Sequence, residues 1–389
     1  MQHSNPEREL EELLGESVEE AESRTRSFLA QTFDQEPSIV LFGAGFLGQQ
    51  CAAGLQAAGV RPLAFADDTP SKQGQSISGI PVITLDAAAR KYGETATFVV
   101  TINNAAHRYG RSVERLTGLG CRRVAPFLAL AWNYAGTFLP YYQFDLPASV
   151  LRQARAIREA FALFGDNESR RQFVAHLRFR LFLDFAALPA NSPDKYFPAD
   201  IFKSLSPEIV YVDCGAFDGD TLRMFLDRHR AGFKRAVVFE PDPRTFERLK
   251  GYISSLSDDV RGKIRARNAA IGLENSLMSF NAMGEEGSAF DPAGSTQVEV
   301  VSLDQALKNE HPTFIKFDIE GAEQDALRGG RNLIQTLKPT LAVSVYHRPG
   351  DMWEVPLYLK GLNEDYAFFL RTEGEDGFGT VCYAVASRT

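Results

Sequence analysis

The chain of 389 residues is poor in cysteine. Its four cysteines (Cys51, Cys121, Cys214, Cys382) lie far apart, and none forms a Cys-x-x-Cys pair. That spacing excludes a disulfide framework and a thiolate zinc site, and it suits a reducing cytoplasm. Positive charge is also in short supply. With 42 Lys and Arg against 50 Asp and Glu, the net charge is -8, which argues against nucleic acid as the main partner because phosphates call for a basic face. No uncharged apolar run approaches the roughly 20 residues of a membrane span. The start is acidic and polar (Glu7, Glu9, Glu11, Glu12, Glu16, Glu19, Glu20), the reverse of a signal or transit peptide. Tandem repeats and low-complexity segments are lacking too. What remains is 44% apolar and 24% charged, an ordinary globular composition long enough for two compact units. A soluble cytoplasmic enzyme is the expectation.

The chemistry concentrates in the second half. Tyr211-Val212-Asp213-Cys214-Gly215-Ala216-Phe217-Asp218-Gly219-Asp220-Thr221 runs an apolar strand into an acidic, glycine-punctuated turn. Val237-Val238-Phe239-Glu240-Pro241 is a second strand ending on a carboxylate. Gly215 and Gly219 let the backbone turn tightly and approach a ligand. Asp220 or Thr221 either caps the following helix or touches the ligand. Glu240 sits where a doubly wound sheet holds ribose hydroxyls. An acidic loop suits the ammonium and sulfonium of S-adenosylmethionine better than a pyrophosphate, and this points to methyl transfer.

Further motifs follow in order: Asn268-Ala269-Ala270-Ile271-Gly272, Val301-Ser302-Leu303-Asp304, and Phe314-Ile315-Lys316-Phe317-Asp318-Ile319-Glu320-Gly321-Ala322-Glu323. Together with Asp213-x-Gly215-x-x-x-Gly219 and Glu240-Pro241, this set resembles the FkbM-type methyltransferases. The likeness covers about residues 195–389, with a lead-in around Asp166-Asn167-Glu168-Ser169 and Tyr196-Phe197. It implies a class I methyltransferase fold with a seven-stranded, mostly parallel sheet. It also implies S-adenosylmethionine at the carboxyl ends of the first strands, and O-methylation of sugar or natural-product hydroxyls. On that reading Asp213, Cys214, Gly215, Ala216, Phe217 and Gly219 meet the amino-acid end of the cofactor, and Glu240 and Pro241 meet the ribose. Asn268 and Ala269 lie near adenine or ribose, with a turn-forming Asn as the alternative, and Ser288-Ala289-Phe290 covers the adenine.

An alcohol acceptor needs a base. Asp318 and His347, each following a strand, are the two candidates, His347 because its ordinary pKa is near neutrality. Asp318 alternatively holds the substrate or the cofactor amine. Glu320 is read as a substrate contact or a cap. Trp353, in His347-Arg348-Pro349-Gly350-Asp351-Met352-Trp353, either stacks on a sugar or covers the core. Asp318, Glu320, Glu323 and His347 form a conceivable metal set, but the resemblance calls for none and none is expected. The expected strands are Ile209–Asp213, Arg235–Glu240, Ile264–Ala270, Gln297–Val301, Thr313–Asp318, Thr340–Tyr346 and Thr380–Ala386.

The first half carries its own glycine turn. Ser38-Ile39-Val40-Leu41-Phe42 leads into Gly43-Ala44-Gly45-Phe46-Leu47-Gly48, and Asp67 ends the next strand, a dinucleotide-like pattern with its ribose carboxylate. Asp67-Asp68-x-Pro70-Ser71-Lys72-x-Gly74 and Gly79-Ile80-Pro81-Val82 resemble the N-terminal domains of sugar O-acyltransferases. Thr101-Ile102-Asn103-Asn104 and His107 would form the next rim. A nucleotide-sugar site, an NAD site and a scaffold that only packs and dimerises stay open. The expected organisation is a helical segment at 1–35, led by Leu10, Leu13, Leu14, Val18 and Ala21, then a Rossmann-like domain at 36–144. A helical connector at 145–205 follows, and a methyltransferase domain at 206–389. The expected substrate is a small molecule or glycan precursor. Alternatives are a nucleotide-sugar or NAD sensor with an idle methyltransferase half, or methylation at carbon or nitrogen.

Overall fold

The computed structural model describes residues 5–102, 107–188, 195–202, 206–229, 232–281, 289–290, 294, 296–374 and 377–386. The chain divides into two compact units. The first comprises Met1–Arg155, Arg171–Asn191 and Gly374–Phe378; the second comprises Ala156–Arg170, Ser192–Glu373 and Gly379–Thr389. The stretch 145–205 is therefore shared between the units.

The first unit opens with two helices, Pro6–Leu13 and Val18–Thr32, where the spacing suggests one. Ser17 separates them. Its hydroxyl accepts from the Glu20 N–H while the Glu20 carboxylate accepts from the Ser17 N–H, a reciprocal cap that starts a new helix. Leu10, Leu13, Leu14 and Ala21 are buried. The strands are β1 (Ile39–Phe42), β2 (Ala64–Ala66), β3 (Ser76–Ile77), β4 (Ile80–Ile83), β5 (Thr97–Val100) and β6 (Arg123–Pro126). They lie in the order β3-β4-β2-β1-β5-β6, parallel except for the β3–β4 hairpin. Ile39 and Leu41 pack into one core with Phe65 and Val99, and Val40 and Phe42 into another with Ala66 and Phe98. Burial on both faces makes such strands read as continuous apolar runs.

The second unit carries β7 (Val210–Cys214), β8 (Arg235–Phe239), β9 (Ile264–Arg267), β10 (Ala270–Ile271), β11 (Ser276–Asn281), β12 (Ala289–Phe290), β13 (Thr296–Val301), β14 (Phe314–Phe317), β15 (Thr340–Ser344), β16 (Tyr366–Thr372) and β17 (Thr380–Ala386). Seven of them form the order β16-β17-β15-β14-β7-β8-β9. Only β17 runs antiparallel to its neighbours. One face of this sheet buries Tyr211, Val238, Phe314 and Tyr383 under Phe197 and Phe225, with the Tyr211 and Phe225 rings stacked at 4.3 Å.

The membership of the main sheet differs from expectation at one strand. β13 belongs to a separate four-stranded sheet, β10-β13-β11-β12. Its Val298 and Val300 are buried while Gln297 and Glu299 are exposed, the one-faced alternation of a strand outside a doubly covered sheet. The seventh place goes to β16, paired with β17. All four cysteines are free and buried, and no described helix is long and apolar enough to cross a membrane.

Candidate functional site

In the second unit, β7 has β8 on one side and β14 on the other. The chain thus leaves β7 in one direction and returns on its opposite flank, opening a crevice at the strands' carboxyl ends. Two turns meet there. Gly215 follows β7 with φ +88°, and a Cβ added to it would collide with the carbonyl oxygen of Asp318, the residue after β14. The Asp318 N–H donates to the Cys214 carbonyl at 3.1 Å, so the two strand ends close directly on each other. Gly219 caps the helix Asp220–Arg228 in a left-handed conformation. The Asp220 carboxylate is taken locally, accepting from the Thr221 N–H at 2.7 Å.

Glu240, after β8, is 6% exposed. Its carboxylate accepts from the Phe217 N–H at 2.9 Å and the Asp242 N–H at 2.8 Å, tying the glycine turn to the end of β8. Burial pushes its pKa up to about 7 against the pull of those bonds. Each carboxylate oxygen keeps acceptor capacity beyond its one N–H. Asn268 donates its side-chain amide to the carbonyls of Glu240 and Pro241, so it positions the acid's loop.

Asp213 differs from its expected role as an open ligand contact. It is fully buried, Lys316 Nζ lies 3.0 Å from its Oδ1, and the Tyr211 hydroxyl donates to Oδ2 at 3.0 Å. Asp213 and Lys316 are direct cross-strand neighbours in the β7–β14 register. Lys316 also donates to the Gly215 carbonyl at 2.6 Å, so the pair fixes the glycine turn from beneath. Burial pushes Asp213 up to about 6. Burial alone would lower Lys316, but Asp213, Asp318 and Asp220 hold it charged.

The second cluster surrounds Asp318. Its Oδ2 accepts from the Tyr196 hydroxyl at 2.5 Å with Lys195 Nζ at 3.5 Å, and its Oδ1 accepts from the Tyr346 hydroxyl at 3.1 Å. Burial opposes ionisation, but Lys195, His347 and Lys316 drive its pKa well below the usual carboxylate range. His347 Nδ1 lies 2.8 Å from Glu323 Oε1, which also accepts from the Ile319 N–H. Its Nε2 faces Asp318 Oδ1 at 3.4 Å and Glu320 Oε1 at 3.9 Å. Burial disfavours the imidazolium, yet Glu323, Asp318 and Glu320 together push His347 up to about 9. The expected near-neutral His347 is therefore a cation at pH 7. Glu323, His347 and Asp318 also place one ligand atom each within 4.8 Å of one another.

Comparisons with known proteins report on the family and the fold. Residues 213–373 match the family model of the methyltransferase FkbM domain. The chain carries an FkbM methyltransferase domain. The crystal structure of methyltransferase FkbM from Methylobacillus flagellatus KT is similar in fold, with a TM-score of 0.81 and 21% identity over 98% of this chain and 100% of that one. A putative rRNA methylase from Clostridium thermocellum overlaps with a TM-score of 0.34 at 11% identity, covering 52% of this chain and 99% of that one. Aeropyrum pernix fibrillarin, solved with natively bound S-adenosyl-L-methionine, gives 0.31 at 11% identity, covering 47% of this chain and 69% of that one. Nothing rests on these last two. No curated protein matches the sequence.

Other residues of the FkbM domain fall into place around the crevice. Cys214, Ala216 and Ala269 are buried, so only their backbones are available to a ligand. Phe217 is half-buried with φ +46°, its ring 5.5 Å from the Arg248 guanidinium. Trp353 does not stack on a sugar. It is 1% exposed, because the first turn of the helix Asp351–Leu362 faces the core. Ser288 lies outside the described residues. Lys195, Tyr196, Tyr346 and Lys316 are the site residues the sequence reading passed over. Tyr196 and Lys316 stood inside quoted motifs, but their polar ends only acquire meaning once β7, β14 and β15 are neighbours.

The glycine turn of the first unit is built alike. A Cβ on Gly48 would collide with the Gly43 carbonyl, so that glycine serves helix-to-turn packing. Gly45 has open space around it, and Phe46 is 62% exposed. Asp67 Oδ2 accepts from the Ala44 N–H at 2.8 Å and from Lys72 Nζ at 3.1 Å, and Oδ1 accepts from the Thr69 N–H at 2.9 Å. Burial works against the charge, but the bonds to Thr69, Ala44 and Lys72 hold Asp67 down at about 2. The carboxylate expected on a ribose is thus satisfied within the protein. Asn103 and Asn104 of the expected rim lie outside the described residues.

Proposed function

We propose that the second unit is an S-adenosylmethionine-dependent methyltransferase acting on a hydroxyl of a sugar, nucleotide-sugar or natural product. The observation that carries the reading is Glu240: a buried carboxylate, pushed up to about 7 by its burial, beside a turn with no room for a Cβ at Gly215. Such an acid suits hydroxyl donors and a cation and repels a pyrophosphate. The donor, when bound, supplies a methyl group on a sulfonium.

The residues' parts follow from their electrostatics. Glu240 holds ribose hydroxyls. Asp213 acts through Lys316 and Tyr211 on the shape of the turn. Asp318, ionised throughout the working range, supplies the fixed negative charge that holds cationic groups at the crevice. An acid held so far down is a poor proton acceptor, which leaves His347 as the base. Glu323 on Nδ1 fixes the imidazole with Nε2 turned toward Asp318 and Glu320, the orienting arrangement a general base needs. A cationic ligand beside His347 would lower its pKa from about 9 toward neutrality by like-charge repulsion.

The test is homocysteine release from S-adenosylmethionine across a panel of hydroxylated sugars, followed by single-turnover rates. His347→Ala should slow methyl transfer by about 10²–10⁴-fold while cofactor affinity changes little. In the wild type kcat/KM should rise with pH toward the free-enzyme value near 9, and the variant should lack that limb. Full rate in His347→Ala would remove the base from this account.

A further inference from the structure

The first unit has an open cavity of its own. It lies at the carboxyl ends of β5 and β6, lined there by Val100, Ile102 and Pro126, with Leu47 from the helix Phe46–Ala57 that follows β1. β1 has β2 on one side and β5 on the other, so the cavity stands beside the first sheet's own switch point, the region where open α/β sheets take ligands.

The walls are aromatic. Tyr109 stacks on Phe185 with centroids 4.4 Å apart, Phe144 meets Phe179 edge-on at 5.3 Å, and Phe127 meets Tyr141 edge-on at 4.8 Å. All six line the cavity, and no Lys, Arg, Asp or Glu stands among its described lining residues. The polar groups are the hydroxyls of Tyr109 and Tyr141, which burial keeps protonated, and His107, whose Nε2 lies 2.7 Å from the Ser112 hydroxyl.

Such walls do not suit a nucleotide. Phosphates would find no cation among these lining groups, and the carboxylate that would take a ribose is already bonded to Ala44, Thr69 and Lys72. Rings that are themselves packed edge-to-face offer their faces and edges to another ring at similar spacing. We propose that the first unit binds an uncharged aromatic or alicyclic ring compound in this cavity, its ring among Phe127, Phe144, Phe179 and Phe185 and a hydroxyl or carbonyl against Tyr109. Leu47 couples the site to the glycine turn, because it follows Phe46 and belongs to both.

Saturation-transfer NMR on the full chain tests this, with 2-naphthol as the probe and NAD and UDP-glucose as competitors. The site should take 2-naphthol, and neither competitor should displace it. Leu47→Phe, which fills the cavity, should weaken binding by about tenfold. Tyr109→Phe, which removes one hydroxyl and keeps the packing, should weaken it by about fivefold. The second variant carries the test if the first melts early. Absence of transfer from 2-naphthol, wild-type affinity in Tyr109→Phe, or displacement by NAD or UDP-glucose overturns the assignment.

Discussion

The two units place the same device at the same point and finish it differently. Each sheet has its first strand at a switch point, a glycine turn there, and an acid at the end of the second strand. In both, the acid grips the turn through a backbone amide: Asp67 takes the Ala44 N–H and Glu240 the Phe217 N–H. The difference is burial set against bonding. At Asp67 burial is outweighed by the bonds from Thr69, Ala44 and Lys72, and the acid sits at about 2. At Glu240 burial outweighs the Asp242 and Phe217 N–H bonds and the charge of Lys316, and the acid sits at about 7. A clamp already satisfied by its bonds has little left for a ligand, whereas one whose burial outweighs its bonds retains affinity for a cation or a hydroxyl. A glycine turn followed by an acid therefore does not itself define a nucleotide site.

Substitutions at the two turns should separate the units most strongly. Gly215→Ala forces apart the ends of β7 and β14 and should weaken S-adenosylmethionine binding by about a hundredfold or more, since such a clash costs on the order of 3 kcal/mol. Gly48→Ala should lower the melting temperature of the first unit and leave cofactor affinity alone; equal losses of affinity in both variants would break the contrast. Changing the acids should have a smaller effect. Glu240→Gln should weaken cofactor binding by about tenfold or more, as expected for losing a charged hydrogen bond. Asp67→Asn should leave cofactor binding intact and cost about 1–2 kcal/mol of stability.

The smallest expected effect is a divergence with pH. In the second unit, Glu240, Asp213 and His347 all hold protons more tightly folded than unfolded, so their contribution to stability falls as pH rises from about 4 to about 9. In the first unit Asp67 is depressed. Its contribution is complete above about pH 4 and is lost as pH falls toward 2. Between about pH 4 and pH 9, hydrogen exchange read separately in the two units should show this fall in the second unit and none from Asp67 in the first, and an equal fall in both would contradict the charge assignments.

The strands of both sheets were legible because their burial on two faces leaves unbroken apolar runs such as Ile39–Phe42. β16 was not, since exposed Ala367 and half-buried Phe369 interrupt its pattern. The turn at Gly215 and Gly219 and the acid that closes β8, Glu240, were legible as backbone features because they are local in sequence. Asp213 was misread for the opposite reason: its partner Lys316 is 103 residues away and meets it only through β7–β14 register. The cluster on Asp318 was half visible. Asp318 and His347 stood out as strand-end residues, whereas Lys195, Tyr196 and Tyr346, which set the charge at Asp318, have no spacing that announces them. Trp353 shows the limit of residue type alone, because a tryptophan that could face a sugar also fills a core.

Calorimetric titration of S-adenosylmethionine into the wild-type chain and Glu240→Gln, at a pH above 7, tests the central claim most directly. Saturable one-to-one heat in the wild type, reduced at least about tenfold in affinity by the substitution, is the result this account predicts. No heat from the wild type, or equal affinity in Glu240→Gln, would contradict it.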